Sequence, residues 1–149
     1  MTEKAKRPEN LKDHIKTILH GTEEEKERLI KRHFFLADTP QFMKDLGLRG
    51  EFFSVRYGVI SRHNNKDADH DLLEQNWVDL CESIKEPFTI TKYGNGFRLF
   101  TRVKVKGQSV VVGVGVKNAG KNFEINAITT AFDYRDRPMT GEILYTATK

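Results

Sequence analysis

A chain of 149 residues is expected to fold as one domain that buries roughly two thirds of its unfolded surface, and its ten Phe, four Tyr and single Trp supply the apolar bulk. The net charge of +4 allows an acidic partner without naming one. Cys81 is the only cysteine, which excludes a disulfide framework or a cysteine metal cluster and fits a reducing cytoplasm; no apolar h-region follows Met1–Arg7, and no apolar run approaches membrane-spanning length.

Pro8 opens a first helix in which Leu11, Ile15, Ile18 and Leu19 recur at helical spacing and Gly21 is the stop. Thr22 caps a second, where Glu23, Glu24 and Glu25 oppose the positive end of the helix dipole and Lys31, Arg32 and His33 lie near the other end. Leu29, Ile30, Phe34, Phe35 and Leu36 give that helix its apolar side. Its charged blocks read first as a solvated face, second as a basic contact surface. Asp38-Thr39-Pro40 breaks it and caps a short helix, Gln41 to Leu46, which Gly47 ends. Phe52 to Ile60 predicts a strand of mixed burial, and Ser61 to His70 a polar loop rich in turn formers. A further helix starts at Asp71, with Glu74 at capping-box spacing, a buried stripe of Leu73, Trp77, Leu80 and Ile84, and Pro87 as its limit.

From Phe88 to Phe132 the chain reads as three or four consecutive strands, with turns at Tyr93–Gly96, Gly107–Gln108 and Asn118–Asn122. No Asp or Glu occurs between Phe88 and Phe123, whereas Lys92, Arg98, Arg102, Lys104, Lys106, Lys117 and Lys121 are basic. Period-two alternation turns Phe97, Leu99, Val103 and Val105 inward and Arg98, Arg102 and Lys104 outward. In the next strand Val110, Val112, Val114 and Val116 go in, and Gly113, Gly115 and Lys117 look out. Glycines inside a strand mark a bulge or a close approach, so this face is expected to be a concave platform for an anion. In the last strand Phe123, Ile125 and Ala127 alternate with Glu124 and Asn126, but Ile128 and Phe132 fall on the polar side; a bulge near Thr129–Thr130 would resolve the conflict. Arg135–Pro138 forms a turn, and Glu142–Tyr145 a short edge strand.

Three groups of residues are candidates for chemistry. His63 and His70 offer imidazoles suited to general acid or base work, or are simply solvated loop residues. Asp67, Asp69 and His70 invite a metal reading, but no further ligand completes a diagnostic spacing, and no metal or other cofactor is expected. Thr129 and Thr130 can bond a phosphate, although threonine is also an ordinary strand residue. The cationic face, with Tyr93 and Phe100 as stacking rings, suits nucleic acid.

Together Ile60-Ser61-Arg62-His63, Asp69-His70-Asp71-Leu72, Trp77, Ile84-Lys85-Glu86-Pro87, Val112-Gly113-Val114-Gly115-Val116-Lys117 and Ile125–Phe132 resemble the phage- and mobile-element-associated nuclease-like domains of the barnase, EndoU, colicin and RelE-like group. The resemblance covers roughly Gln41 to Asp133, leaving residues 1–40 as a helical extension of a nuclease-like unit at 41–149, the two expected to form one compact unit. It implies an α+β fold, with the N-terminal helices on one face of a four-stranded antiparallel sheet and the active site on the other. It also implies metal-independent cleavage of RNA by 2′-hydroxyl attack in the cytoplasm.

Carried over by position, His70 matches the group's histidine, with His63 the weaker match. Lys117 matches its basic residue, and Thr129 or Thr130 its hydroxyl; no glutamate stands where a barnase-like base would be. Arg62, Lys92, Tyr93 and Arg98 join Arg102, Lys104, Lys121 and Asn126 as the expected substrate contacts. RNA is the expected partner, with a cognate immunity protein a further one. The alternatives are a non-catalytic nucleic-acid-binding module using the same platform, and an immunity or scaffold domain that binds an acidic protein.

Overall fold

The computed structural model describes residues 8–62, 74–105, 108–119, 125–133 and 141–147. The fold is α+β, built on a seven-stranded sheet in the order β1-β2-β6-β5-β4-β3-β7. A 3-10 turn (Leu11–Asp13) leads into α1 (Ile15–His20) and α2 (Glu23–Glu27), then β1 (His33–Asp38), α3 (Gln41–Leu46), β2 (Phe52–Arg56) and α4 (Tyr57–Arg62). After α5 (Glu74–Ser83) come β3 (Thr89–Tyr93), β4 (Gly96–Val105), β5 (Gln108–Ala119), β6 (Ile125–Asp133) and β7 (Glu142–Thr146).

The expected four-stranded antiparallel sheet corresponds to β3, β4, β5 and β6, but it is only part of the whole. β6 pairs in parallel with β2, β1 extends the sheet beyond β2, and β7 pairs with β3 at the opposite edge. The edge strand anticipated at Glu142–Tyr145 is therefore present. The turn at 93–96 is also as expected, with Gly94 at φ +58° between Tyr93 and Gly96.

Two elements differ from the sequence expectation. The second helix does not run to Leu36: α2 stops at Glu27 and residues 33–38 form β1. Its start is as read, because Thr22 accepts from the Glu25 N–H (3.2 Å) while the Glu25 carboxylate accepts from the Thr22 N–H (3.0 Å). It stays short because it buries no residue, and an isolated helix of five residues has no packing to extend it. Phe34 and Phe35 look helical in spacing, but each serves one face of a sheet. Phe34 is fully buried among the helices, while the Phe35 ring lies 5.7 Å from that of Phe52 on the other side.

The second difference is β2, which ends at Arg56 rather than Ile60. Phe52, Phe53, Ser54 and Val55 are all buried, as in a strand covered on both faces, and Ile60 reaches the core from α4 instead. Residues 1–40 are thus not purely helical, and β1 belongs to the same sheet as the rest.

Among the described residues, the core side chains of the helices meet the sheet on one side. Phe97, Leu99, Val103, Val112, Val114, Val116 and Ile128 meet Trp77, Leu80, Cys81 and Ile84 of the α5 region and Leu11, Ile15 and Ile18 of the N-terminus in one cluster. Thr101 donates to the Ser83 carbonyl (2.9 Å), fixing α5 over β4. The Asp71 cap and Leu73 lie outside the described residues. Among the described residues no helix is long and apolar enough to cross a membrane.

Candidate functional site

Ladder register decides what looks out from the face opposite the helices. Leu99 pairs with Val114 and Phe97 with Val116 on the helix side, so Arg98, opposite Gly115, and Lys117, two residues beyond Gly115, share the other face. Lys117 lies over the Gly96 end of β4: a Cβ added to Gly96 would sit 3.0 Å from Lys117 Cγ. The Arg98 guanidinium stacks 3.7 Å from the centroid of the Tyr93 ring, which is 46% exposed.

The bulge expected in β6 is there. Val116 pairs with Ile128 but Gly115 pairs with Thr130, which makes Thr129 the extra residue and leaves both threonines toward the open face. It also reverses the expected facing of the strand before it. Asn126 is the buried residue, and Ile125 and Ala127 are half-buried on the front. Asn126 accepts from the Gly50 N–H (3.0 Å) and donates to Thr39 Oγ1 (2.8 Å) and the Gly50 carbonyl (3.2 Å), so it ties the 39–50 segment to β6. Its expected role as a substrate contact is corrected accordingly, since it is fully enclosed.

Other expectations for the face need correction. Gly115 does not leave open floor for an anion: a Cβ there would meet Thr130 Cγ2 at 2.7 Å and Thr129 Oγ1 at 3.2 Å, so the glycine makes room for the bulge. Phe100 is only 1% exposed and presents no stacking surface. Lys92 pairs with Phe97 and Glu142, and so points to the helix side, opposite to Arg98. Arg102 is exposed but lines a different hollow, shared with Lys85 and the carboxylates of Asp79, Glu82 and Glu86. Lys104 pairs with Ser109 in register with Arg98 and Arg102, and Arg62 ends α4. His63, His70 and Lys121 lie outside the described residues.

What the register does assemble is a hollow of about 480 Å³ over β1, β2, β6 and β5. His33, Ser54, Arg56, Lys117 and Thr129 contribute its polar wall, and Val59, Ile125, Ala127 and Ile128 most of the rest. Ser54 pairs with Ala127, which pairs with Lys117; one step along, His33 pairs with Arg56. The Tyr57 N–H donates to the Arg32 carbonyl (3.1 Å), prolonging the ladder at the His33 end. Among the described residues no carboxylate lines this hollow. Burial, helped by the Arg56 charge, holds the His33 imidazole below its usual pKa, so its neutral form is favoured.

His33 and Arg56 were not singled out in the sequence. The misreading of 33–38 as helix hid the first, and the second stood unremarked in a mixed strand. In the sequence Phe34-Phe35-Leu36-Ala37 is an unbroken apolar run, so no alternation marked the strand.

Among the described residues no three His, Cys, Asp or Glu side chains come together as metal ligands. Comparison of the chain with protein-family models, with curated proteins and with solved structures finds no significant match to any of them.

Proposed function

We propose that the chain is a metal-independent endoribonuclease-like protein of the phage and mobile-element kind that its sequence resembles, acting on RNA in the cytoplasm. The observation that supports it is the hollow: Lys117, Arg56 and Thr129 converge on one recess of nucleotide size that no carboxylate among the described residues lines. In this reading a histidine takes the proton of an RNA 2′-hydroxyl as that oxygen attacks the adjacent phosphorus. His70 or His63 is the histidine the resemblance assigns. Lys117 stabilises the charge gathering on the phosphoryl oxygens, Thr129 or Thr130 positions one of them, and Arg98 on Tyr93 holds a neighbouring nucleotide. A cognate immunity protein would present carboxylates to the same cations.

The test is incubation with mixed RNA and single-stranded DNA in EDTA, followed by end-group determination. Fragments ending in 2′,3′-cyclic phosphate, with intact DNA, are expected, because the chemistry needs the 2′-hydroxyl. Lys117→Ala is expected to slow cleavage by about 100-fold. Uncut RNA from pH 5 to 9 would sink the proposal. The Arg98–Tyr93 stack also fits a second reading, a binding module without chemistry, which predicts RNA retention at low salt and no new ends.

A further inference from the structure

We propose that His33, at the start of β1, is the general base of this cleavage. The inference rests on the ribonuclease reading and adds to it a catalytic group from the N-terminal segment, which the family resemblance does not reach.

Three hollows meet at His33. It lines the recess with Lys117 and Thr129, a second of about 640 Å³ with Lys31, Arg32 and Arg56, and a third of about 410 Å³ with Glu9 and Pro8. A strand of RNA laid along them passes this imidazole with cations on both sides. Among the described residues lining the central recess, His33 is the only side chain whose free pKa is near neutrality.

The spacing suits the role. β1 and β5 are three strand intervals apart, roughly 14 Å between backbones. A Lys side chain extending from one rim and an imidazole from the other leave room for a single phosphodiester between them. Arg56, paired with His33 on the adjacent strand, stands beside that phosphate.

The charged groups facing His33 from the surrounding elements are Glu9, Lys31, Arg32, Arg56 and Lys117. Glu9 is engaged by Arg32 (3.3 Å) and by His14, and burial first, with the Arg56 charge second, lowers the His33 pKa and so favours the unprotonated form that a base needs. In the step itself a ring nitrogen of His33 accepts the 2′-hydroxyl proton as the 2′-oxygen bonds to phosphorus. The bond from phosphorus to the 5′-oxygen breaks, that oxygen takes a proton from water, and the imidazolium returns its proton to solvent. The products are a 2′,3′-cyclic phosphate and a 5′-hydroxyl, with no change of oxidation state.

The experiment measures single-turnover cleavage by the full-length protein in EDTA from pH 5 to 9, with RNA retention and thermal melting on the same samples. His33→Gln is expected to cut about 100-fold more slowly. It should retain RNA within twofold of the parent, melt normally and lose the rise of rate with pH on the acid side. His33→Gly with added imidazole, expected to regain activity, covers the case in which the glutamine variant folds poorly. If the parent cleaves and His33→Gln cleaves within threefold of it with the same pH profile, His33 is not the base and the ribonuclease reading survives. Loss of activity in His70→Ala or His63→Ala alone would then move the base to the loop. A parent that never cleaves overturns both.

Discussion

Asn126 shows how one side chain decides the lie of a strand. Its amide saturates groups on Gly50 and Thr39 that would otherwise be buried without partners. Asn126→Ala should therefore cost ~3 kcal/mol in urea unfolding, well above the cost of a surface substitution. His33 carries the opposite kind of information. Its folded pKa is depressed, so the unfolded chain binds the proton more readily, and stability should fall as pH drops through the ordinary histidine range and the folded pKa below it. His33→Gln should flatten that part of the stability profile, measured by thermal melts between pH 5 and 8. Cys81, its thiol pushed up to about 11 chiefly by burial, should react with thiol reagents far more slowly in the native protein than in urea.

At the scale of elements, the bulge in β6 is the device on which the open face depends. Without the extra residue, the two halves of the strand could not place both Ile128 on the helix side and Thr130 opposite Gly115. Deletion of Thr129 should accordingly destabilise the protein by more than 3 kcal/mol, whereas Thr129→Ala should leave the melting temperature within a few degrees. The sequence pointed to a bulge at this place through Ile128 and Phe132 on the polar side, although in the structure Ile128 shares the helix side with Asn126 and the bulge follows it.

Other features were legible for equally local reasons. Thr22 with Glu25 marked a helix start, and the acid-free stretch marked a cationic strand pair. What escaped was set by tertiary contact. Phe34 and Phe35 cover opposite faces of β1, which erases the period of two, and Ile60 is drawn into the core on a short helix despite a strand-like sequence. His33 was lost with the first of these, and the site could not be read complete without it.

Considered whole, the molecule does not divide at residue 40. Leu11, Ile15, Ile18, Leu29 and Phe34 belong to the same cluster as Trp77 and Val114, and β1 covers one side of β2. A fragment of residues 41–149 should therefore fail to show a cooperative melt or dispersed amide resonances. If the front face engages about four phosphates through Lys31, Arg56, Arg98 and Lys117, the logarithm of single-stranded RNA affinity should fall against the logarithm of salt with a slope near −3. Replacing Lys117 with Ala should reduce that slope by nearly one unit.

The parallel seam between β2 and β6 joins Phe52 to Ile125 and, with them, the two walls of the recess. During synthesis on the ribosome, His33 and Arg56 emerge before Lys117 and Thr129. A nascent chain that has not yet exposed β5 and β6 thus carries only half of the recess.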